Sequence, residues 1–250
     1  MATPYSGNAK PLSPLVPAWL GFVLLMLFFQ RHGIDFAVAD RLFRWEGGDW
    51  SLKHHIVTES ILHNGGRAVS EALGALAILG FAASLMGSPL RAWRRALGYL
   101  IAALAVSTVS VAILKQWVSM DCPWDLARYG GDMPFIGLFE QRPDGLPDAA
   151  CFPAGHASAG YAWIALYFFF KATLPRWRWW GLTAGLSMGL AFGIAQQLRG
   201  AHFLSHDLWT LMICWTSSAL LAHVLMSAPA SSSRDASFLV TSSPTARPLQ

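Results

Sequence analysis

The sequence predicts an all-α integral membrane protein, a bundle of six transmembrane helices. Three observations predict it. Of the 250 residues, 54% are hydrophobic and only 13% charged, whereas a soluble domain carries about a quarter charged residues. The mean hydropathy is +0.40. Several apolar runs approach the roughly 20 residues that a helix needs to cross a bilayer. A formal net charge of +4 is too small to argue for nucleic-acid binding. The arginines instead gather at the ends of apolar runs, as orienting residues do.

Six spans follow in order. The first is Leu15–Gln30, at the short end; no small-residue cleavage site follows it, so it reads as a retained anchor after a cytoplasmic segment 1–14. The others are Ala68–Met86, Ala96–Trp117, His156–Leu174, Trp179–Leu198 and Ser205–Met226. Residues 15–226 then form one membrane domain. Residues 227–250, rich in Ser, Ala and Pro and without periodicity, read as a disordered cytoplasmic tail. No soluble domain and no internal repeat is evident. Phe168, Phe169 and Phe170 read as lipid-facing bulk. The Gly and Ala of spans two, three and five read as close-packing positions.

Basic residues set the orientation. Arg91, Arg94 and Arg95 link spans two and three, and Lys171, Arg176 and Arg178 link spans four and five. Short basic loops stay on the cytoplasmic side. The loops after spans one, three and five then face outward, which in a bacterial inner membrane means the periplasm. Trp177, Trp179 and Trp180 fit an aromatic belt. The first outward loop, 35–66, has room for an interfacial helix. Its His54, His55 and His63 read as a wet surface cluster.

Of three cysteines, Cys214 lies inside span six as a small packing residue. Cys122 and Cys151 share the outward loop between spans three and four. An oxidising compartment permits a disulfide between them, which would hold the two ends of that loop together.

Three stretches place ionisable residues at the outward membrane boundary: KQWVSMDCPWDLARYGG, CFPAGHASAG and QQLRGAHFLSHDLW. Such residues are costly beside lipid and functional by default. Lys115 and Arg199 are cations suited to a phosphate. The Gly155–His156 backbone opens a helix, where N–H groups and the dipole attract an anion. His156 and His202 can divide the chemistry, one attacking phosphorus and the other protonating the leaving oxygen. No cofactor or metal is required if cations and N–H groups carry the developing charge. The competing zinc reading joins His156, His202 and His206, but it leaves the cations and the Pro-Ala-Gly-His turn without a purpose. Taken singly, each of these residues has a bland role as an anchor or a polar helix start.

Over about residues 68–226 the three stretches resemble the motifs of the type-2 phosphatidic acid phosphatase family, a six-helix membrane group related to vanadium haloperoxidases. The family patterns are Lys-x6-Arg-Pro, Pro-Ser-Gly-His and Ser-Arg-x5-His-x3-Asp. Lys115 and Pro123 match the first, with Cys122 at the arginine position; Arg128 and Arg142, in the same loop, are the candidates to replace that cation. Pro153, Gly155 and His156 match the second, with Ala154 for serine, which keeps a backbone N–H and loses a hydroxyl. His202 matches the nucleophile of the third. Its arginine position holds Gln196, which leaves Arg199 to bind phosphate, and its aspartate position holds His206, followed by Asp207. By register His206 is preferred as the group orienting His202, with Asp207 the alternative.

The resemblance implies a metal-independent lipid phosphatase with a phosphohistidine intermediate, its site facing the periplasm. The implied partners are the bilayer and a lipid phosphate such as undecaprenyl diphosphate, a phosphatidate-type lipid or lipid A; no protein partner is evident. A phosphotransferase would use the same residues. The departures at Cys122, Gln196 and His206 also leave open a non-catalytic lipid-phosphate binder or transporter.

Overall fold

The computed structural model describes residues 15–227. The predicted N-terminal segment and all of the predicted tail beyond Ser227 lie outside the described residues. Among the described residues there are eight α-helices and one isolated β-bridge, Leu126 with Met133. Helix α1 spans Leu15–His32. Gly33, in the left-handed region at φ 59°, turns the chain into the amphipathic α2, Ile34–Trp45. This helix lies in the loop where an interfacial helix was expected.

A π-helical stretch, Ile56–Gly65, runs without a break into α3, Gly66–Leu85. A 3₁₀ turn at Pro89–Trp93, with Ser88 capping it, leads to α4, Arg94–Trp117. After a long loop come α5, Gly155–Tyr161, a 3₁₀ turn at Ala162–Ile164, and α6, Ala165–Thr173. Helix α7 spans Arg178–Leu198 and α8 spans Leu204–Met226.

The observed ends agree with the predicted spans to within a few residues, except that the second span begins at Ile56. Four stretches are long and apolar enough to cross a membrane by length and composition: Leu15–His32, Ile56–Leu85, Pro89–Trp117 and Leu204–Met226. The other two expected spans fall short for identifiable reasons. The fourth is broken into α5 and α6 by the 3₁₀ turn. The fifth, α7, is diluted by Gly181, Gly185, Gly189 and Gly193 and ends in Gln196 and Gln197, all of them buried.

Those glycines explain how the interior packs. Helix α7 lies against α5 and α6. A Cβ added at Gly185 would run into the backbone of Trp163 and Ile164, and one at Gly160 into that of Met188 and Gly189. Small residues let the two segments approach this closely. Helix α4 packs against α8, α3 and α6 around Tyr99, Leu100, Ala103 and Phe168. Tyr99 Oη donates to the Ser218 carbonyl, 3.1 Å away. Outside, Leu20 and Leu24 of α1 and Leu76 and Leu79 of α3 are each more than 60% exposed, the inverse of a soluble protein and the expected finish for a lipid-facing surface.

Candidate active site

A cavity of about 950 Å³ opens where α3, α4, α5 and α7 meet the loops that follow α4 and α7. Each wall is built by a different element. Lys115, in the last turn of α4, places its Nζ 3.5 Å from where a Cβ at Gly155 would sit, so the glycine leaves the ammonium its room. Gly155 and His156 open α5. Gln196 and Arg199 close α7, and His202 follows in the short loop to α8. The cavity thus gathers Lys115, Gly155, His156, Arg199 and His202.

The loop residues are held from above by an aromatic cap. Gly200 has φ +67°, and the Trp50 ring fills the place its Cβ would take. Trp50 packs with Ala39, Leu126, Tyr129 and Phe203 in a buried cluster. Trp124 N–H donates to the Gly200 carbonyl at 2.9 Å. Cys122 and Cys151 are joined by a disulfide, with Cα atoms 5.2 Å apart, inside the usual range for such bridges. Cys151 N–H donates to the Met120 carbonyl at 3.0 Å, closing the same loop beside Lys115's helix.

Arg199 is the dominant charge. It is 7% exposed. Its Nε donates to the Lys53 carbonyl at 2.8 Å, Nη1 to Gln196 Oε1 at 3.3 Å, and Nη2 approaches Glu59 Oε1 at 3.5 Å. A guanidinium has five N–H groups, so two stay uncommitted. Gln196 contributes a further donor: its buried Nε2 has no hydrogen-bond partner, and the residue lines the cavity. The position that holds arginine in the family pattern thus still offers an N–H, with the charge moved three residues on.

His202 is 6% exposed, its Nδ1 3.4 Å from Nδ1 of His206. Burial above all, then His206 and the Lys115 ammonium, hold the His202 imidazole well below its ordinary range. It is therefore neutral, with a lone pair available, at neutral pH. His156 Nε2 lies 3.3 Å from the Leu62 carbonyl oxygen, which leaves Nδ1 to exchange a proton.

Several expected residues stand elsewhere. Arg128 forks onto Asp40 at 2.8 and 2.6 Å, and the bond to Arg128 holds that carboxyl below its usual range. Arg142 forks onto Asp121 at 2.7 and 3.1 Å. Neither lines the cavity, because each has found a carboxylate of its own. Ala154 is also withdrawn: its N–H donates to the His206 carbonyl at 3.4 Å and its carbonyl accepts from Thr210 Oγ1 at 3.1 Å, so both backbone groups are spent on α8. Asp207 faces α7, where its carboxyl accepts from Gln197 Nε2 and lies against Gly193. Of the two orienting candidates, only His206 reaches His202.

The zinc alternative required three histidines to converge. Among the described residues the grouping within reach of one ion is Cys122, Asp125 and Cys151, and its two thiols are spent on each other. His54 and His55 are exposed, as expected of a wet cluster. His63 departs from that reading: it lines the cavity and stacks on His156, centroids 4.2 Å apart and planes 19° from parallel. Arg67 joins it in the wall, bonded to Glu71 at 2.7 Å. Sequence reasoning missed both. The four-residue spacing of His63 and Arg67, which puts two side chains on one helical face, was the available signal.

Residues 96–228, more than half of the chain, match the family model for the PAP2 superfamily. Among curated proteins and among solved structures nothing matches.

Proposed function

The chain belongs to the PAP2 superfamily, a family of phosphatases acting on phosphate esters, and we propose that it is a membrane lipid phosphatase working through a phosphohistidine. The observation that carries this reading is the cavity itself. Its polar end holds Lys115, His156, Arg199 and His202. Its other wall is Gly74 and Ile78 of α3 with Ile101, Ala105, Thr108 and Ala112 of α4. A phosphate fits the first and a hydrocarbon tail the second.

In this reaction the lipid phosphate sits against Lys115 and Arg199, with the Gln196 amide donating to a third oxygen. The His202 lone pair attacks phosphorus in line, and the bond to the lipid oxygen breaks. His156 gives that oxygen a proton. Water then attacks the phosphohistidine, His156 takes its proton, and the P–N bond breaks to release phosphate. The substrate is a phosphate monoester or diphosphate of a lipid, of the undecaprenyl diphosphate, phosphatidate or lipid A kind. In this reading α5–α6 and α7 are the fourth and fifth of six spans and the site faces the periplasm across a bacterial inner membrane, an orientation supported by the basic loops around Arg91–Arg95 and Lys171–Arg178.

The test is phosphate release from a panel of lipid mono- and diphosphates by detergent-purified protein, with chelator present. Wild type, His202→Ala and His156→Ala are compared. Release by wild type and its loss in both variants is the expected result. No release on any lipid by folded protein would favour the binding or transport reading.

A further inference from the structure

The nucleophile position raises a problem that the residues around it answer. To attack through Nε2, a neutral histidine must carry its proton on Nδ1, and that proton needs an acceptor. The family pattern supplies a carboxylate four residues on. Here that position is His206, fully buried. His206 cannot serve as the acceptor through Nδ1. That nitrogen lies 3.0 Å from the Cys151 carbonyl oxygen, and a carbonyl only accepts, so His206 Nδ1 bears a hydrogen. Its other nitrogen, Nε2, is buried without a partner and is the unprotonated one.

The acceptor beside this pair of rings is the Cys151 carbonyl. His202 Nδ1 is 3.4 Å from His206 Nδ1, which itself lies 3.0 Å from that oxygen. A carbonyl oxygen has two lone pairs and takes two donors. The carbonyl is also unusually well fixed. The Cys151 side chain is bonded to Cys122. Its N–H is bound to Met120. The next ring along, Phe152, packs edge-on to His206 with centroids 5.3 Å apart. Cys122 in turn occupies the position that the family pattern gives to arginine.

We propose that the Cys151 carbonyl, held in place by the Cys122–Cys151 bridge, is the group that orients His202, with His206 as the second donor on the same oxygen. Two departures from the family pattern thereby become one device: the lost arginine supplies the tether, and the lost aspartate is replaced by a backbone acceptor. Cys151 and His206 are positioning residues; neither need touch the substrate. This inference rests on the phosphatase reading for its kinetic consequence but not for its geometry.

The bridge can be opened chemically. Dithiothreitol delivers two electrons and two protons, converting the disulfide to two thiols while the reagent closes into its own ring. Opening should lower kcat for phosphate release tenfold or more with KM little changed, and reoxidation should restore it. The double variant Cys122→Ser with Cys151→Ser keeps the carbonyl but not the tether. It should match the reduced protein and ignore the reagent. Adding His206→Asp to the double variant returns a carboxylate to His202 and should recover activity, which a merely structural role for the bridge does not predict. Unchanged kcat in both the reduced protein and the double variant overturns the proposal.

A second measurement needs no turnover. Nitrogen-15 NMR of histidine-labelled protein should find the proton on Nδ1 of both His202 and His206 in the oxidised form, and a changed His202 signal after reduction. A proton on Nε2 of His202, or no response to reduction, overturns the proposal. If oxidised wild type releases no phosphate, the phosphatase reading falls while this measurement still decides the role of the carbonyl.

Discussion

Arg199 is the cation that the local chain holds most firmly. Three of its N–H groups are bound to Lys53, Gln196 and Glu59, so little side-chain entropy is left to lose when a phosphate arrives. Arg199→Ala should cut kcat/KM by roughly 100-fold or more, the scale of removing one preorganised donor from a developing anion. Arg128→Ala should leave kcat/KM unchanged and cost at most about 1 kcal/mol of stability, because its partner Asp40 lies on α2 outside the cavity lining and the Arg128 side chain is half exposed. The two variants side by side, in phosphate release and thermal melting, separate a cation in the site from one near it in sequence. Lys115, His156 and His202 were legible because short motifs fix them within a helix end or a single turn. The role of Arg128 was not, because sequence spacing does not reveal that its carboxylate lies 88 positions away. His202 yields a further prediction with a definite sign. Its folded pKa is depressed, so below about pH 6.5 the unfolded chain takes up a proton that the folded protein refuses. Stability falls as pH drops through that value. Melting temperatures between pH 7.5 and 5.5 should fall less steeply for His202→Gln than for wild type; equal slopes would mean that His202 charges in the folded protein.

At the scale of elements, the bundle depends on one unusually close contact, the α5–α6 segment against α7. It is the reason that two of six apolar runs look unlike the others. A helix surrounded by protein need not be uniformly apolar, and α7 uses its glycine row for approach in place of bulk. The sequence therefore showed six runs of about the right length, while the 3₁₀ break at Ala162–Ile164 and the π-helical lead into α3 had no signature in hydrophobic periodicity. Gly185 is where the contact is least forgiving, since any Cβ meets the Ile164 backbone. Gly185→Ala should destabilise by about 1–3 kcal/mol through overpacking, read as a lower melting temperature in detergent. Gly74→Ala, on α3 with open space around its Cβ position, is the control and should change the melting temperature little. Because Gly185 lies on the same helix about three turns before Gln196 and four before Arg199, the same substitution should also reduce kcat by displacing the end of α7.

Across the whole molecule, the two ends differ in charge and the middle is open on one side. Arg95 Nη2 donates to the carbonyl of Ser227, the residue that follows α8, 2.6 Å away, which brings the end of α8 beside the Arg91–Arg95 stretch. A reporter fused after residue 227 should read as cytoplasmic. Helices α3 and α4 touch at that end, where Gly98 packs against Phe81 and Gly80 against Leu97. Toward the other end they line the cavity, with Ile101, Ala105, Thr108, Ala112 and Lys115 forming one stripe of α4. Fourteen residues at 1.5 Å each make that stripe about 21 Å long, more than the roughly 15 Å of one leaflet's hydrocarbon. A trough of that length, with a cation at its head, suits a lipid whose tail stays in the bilayer while its phosphate reaches His202. Ala105→Trp fills the trough about 15 Å below Lys115 and leaves the phosphate end untouched. Its KM for a long-chain lipid phosphate should rise about tenfold or more, while kcat/KM for a short-chain, water-soluble phosphate ester stays at the wild-type value. If both substrates are affected alike, the trough shapes the site and does not receive the tail. If neither is affected, the tail leaves the cavity by another side, and the substrate is recognised by its phosphate alone.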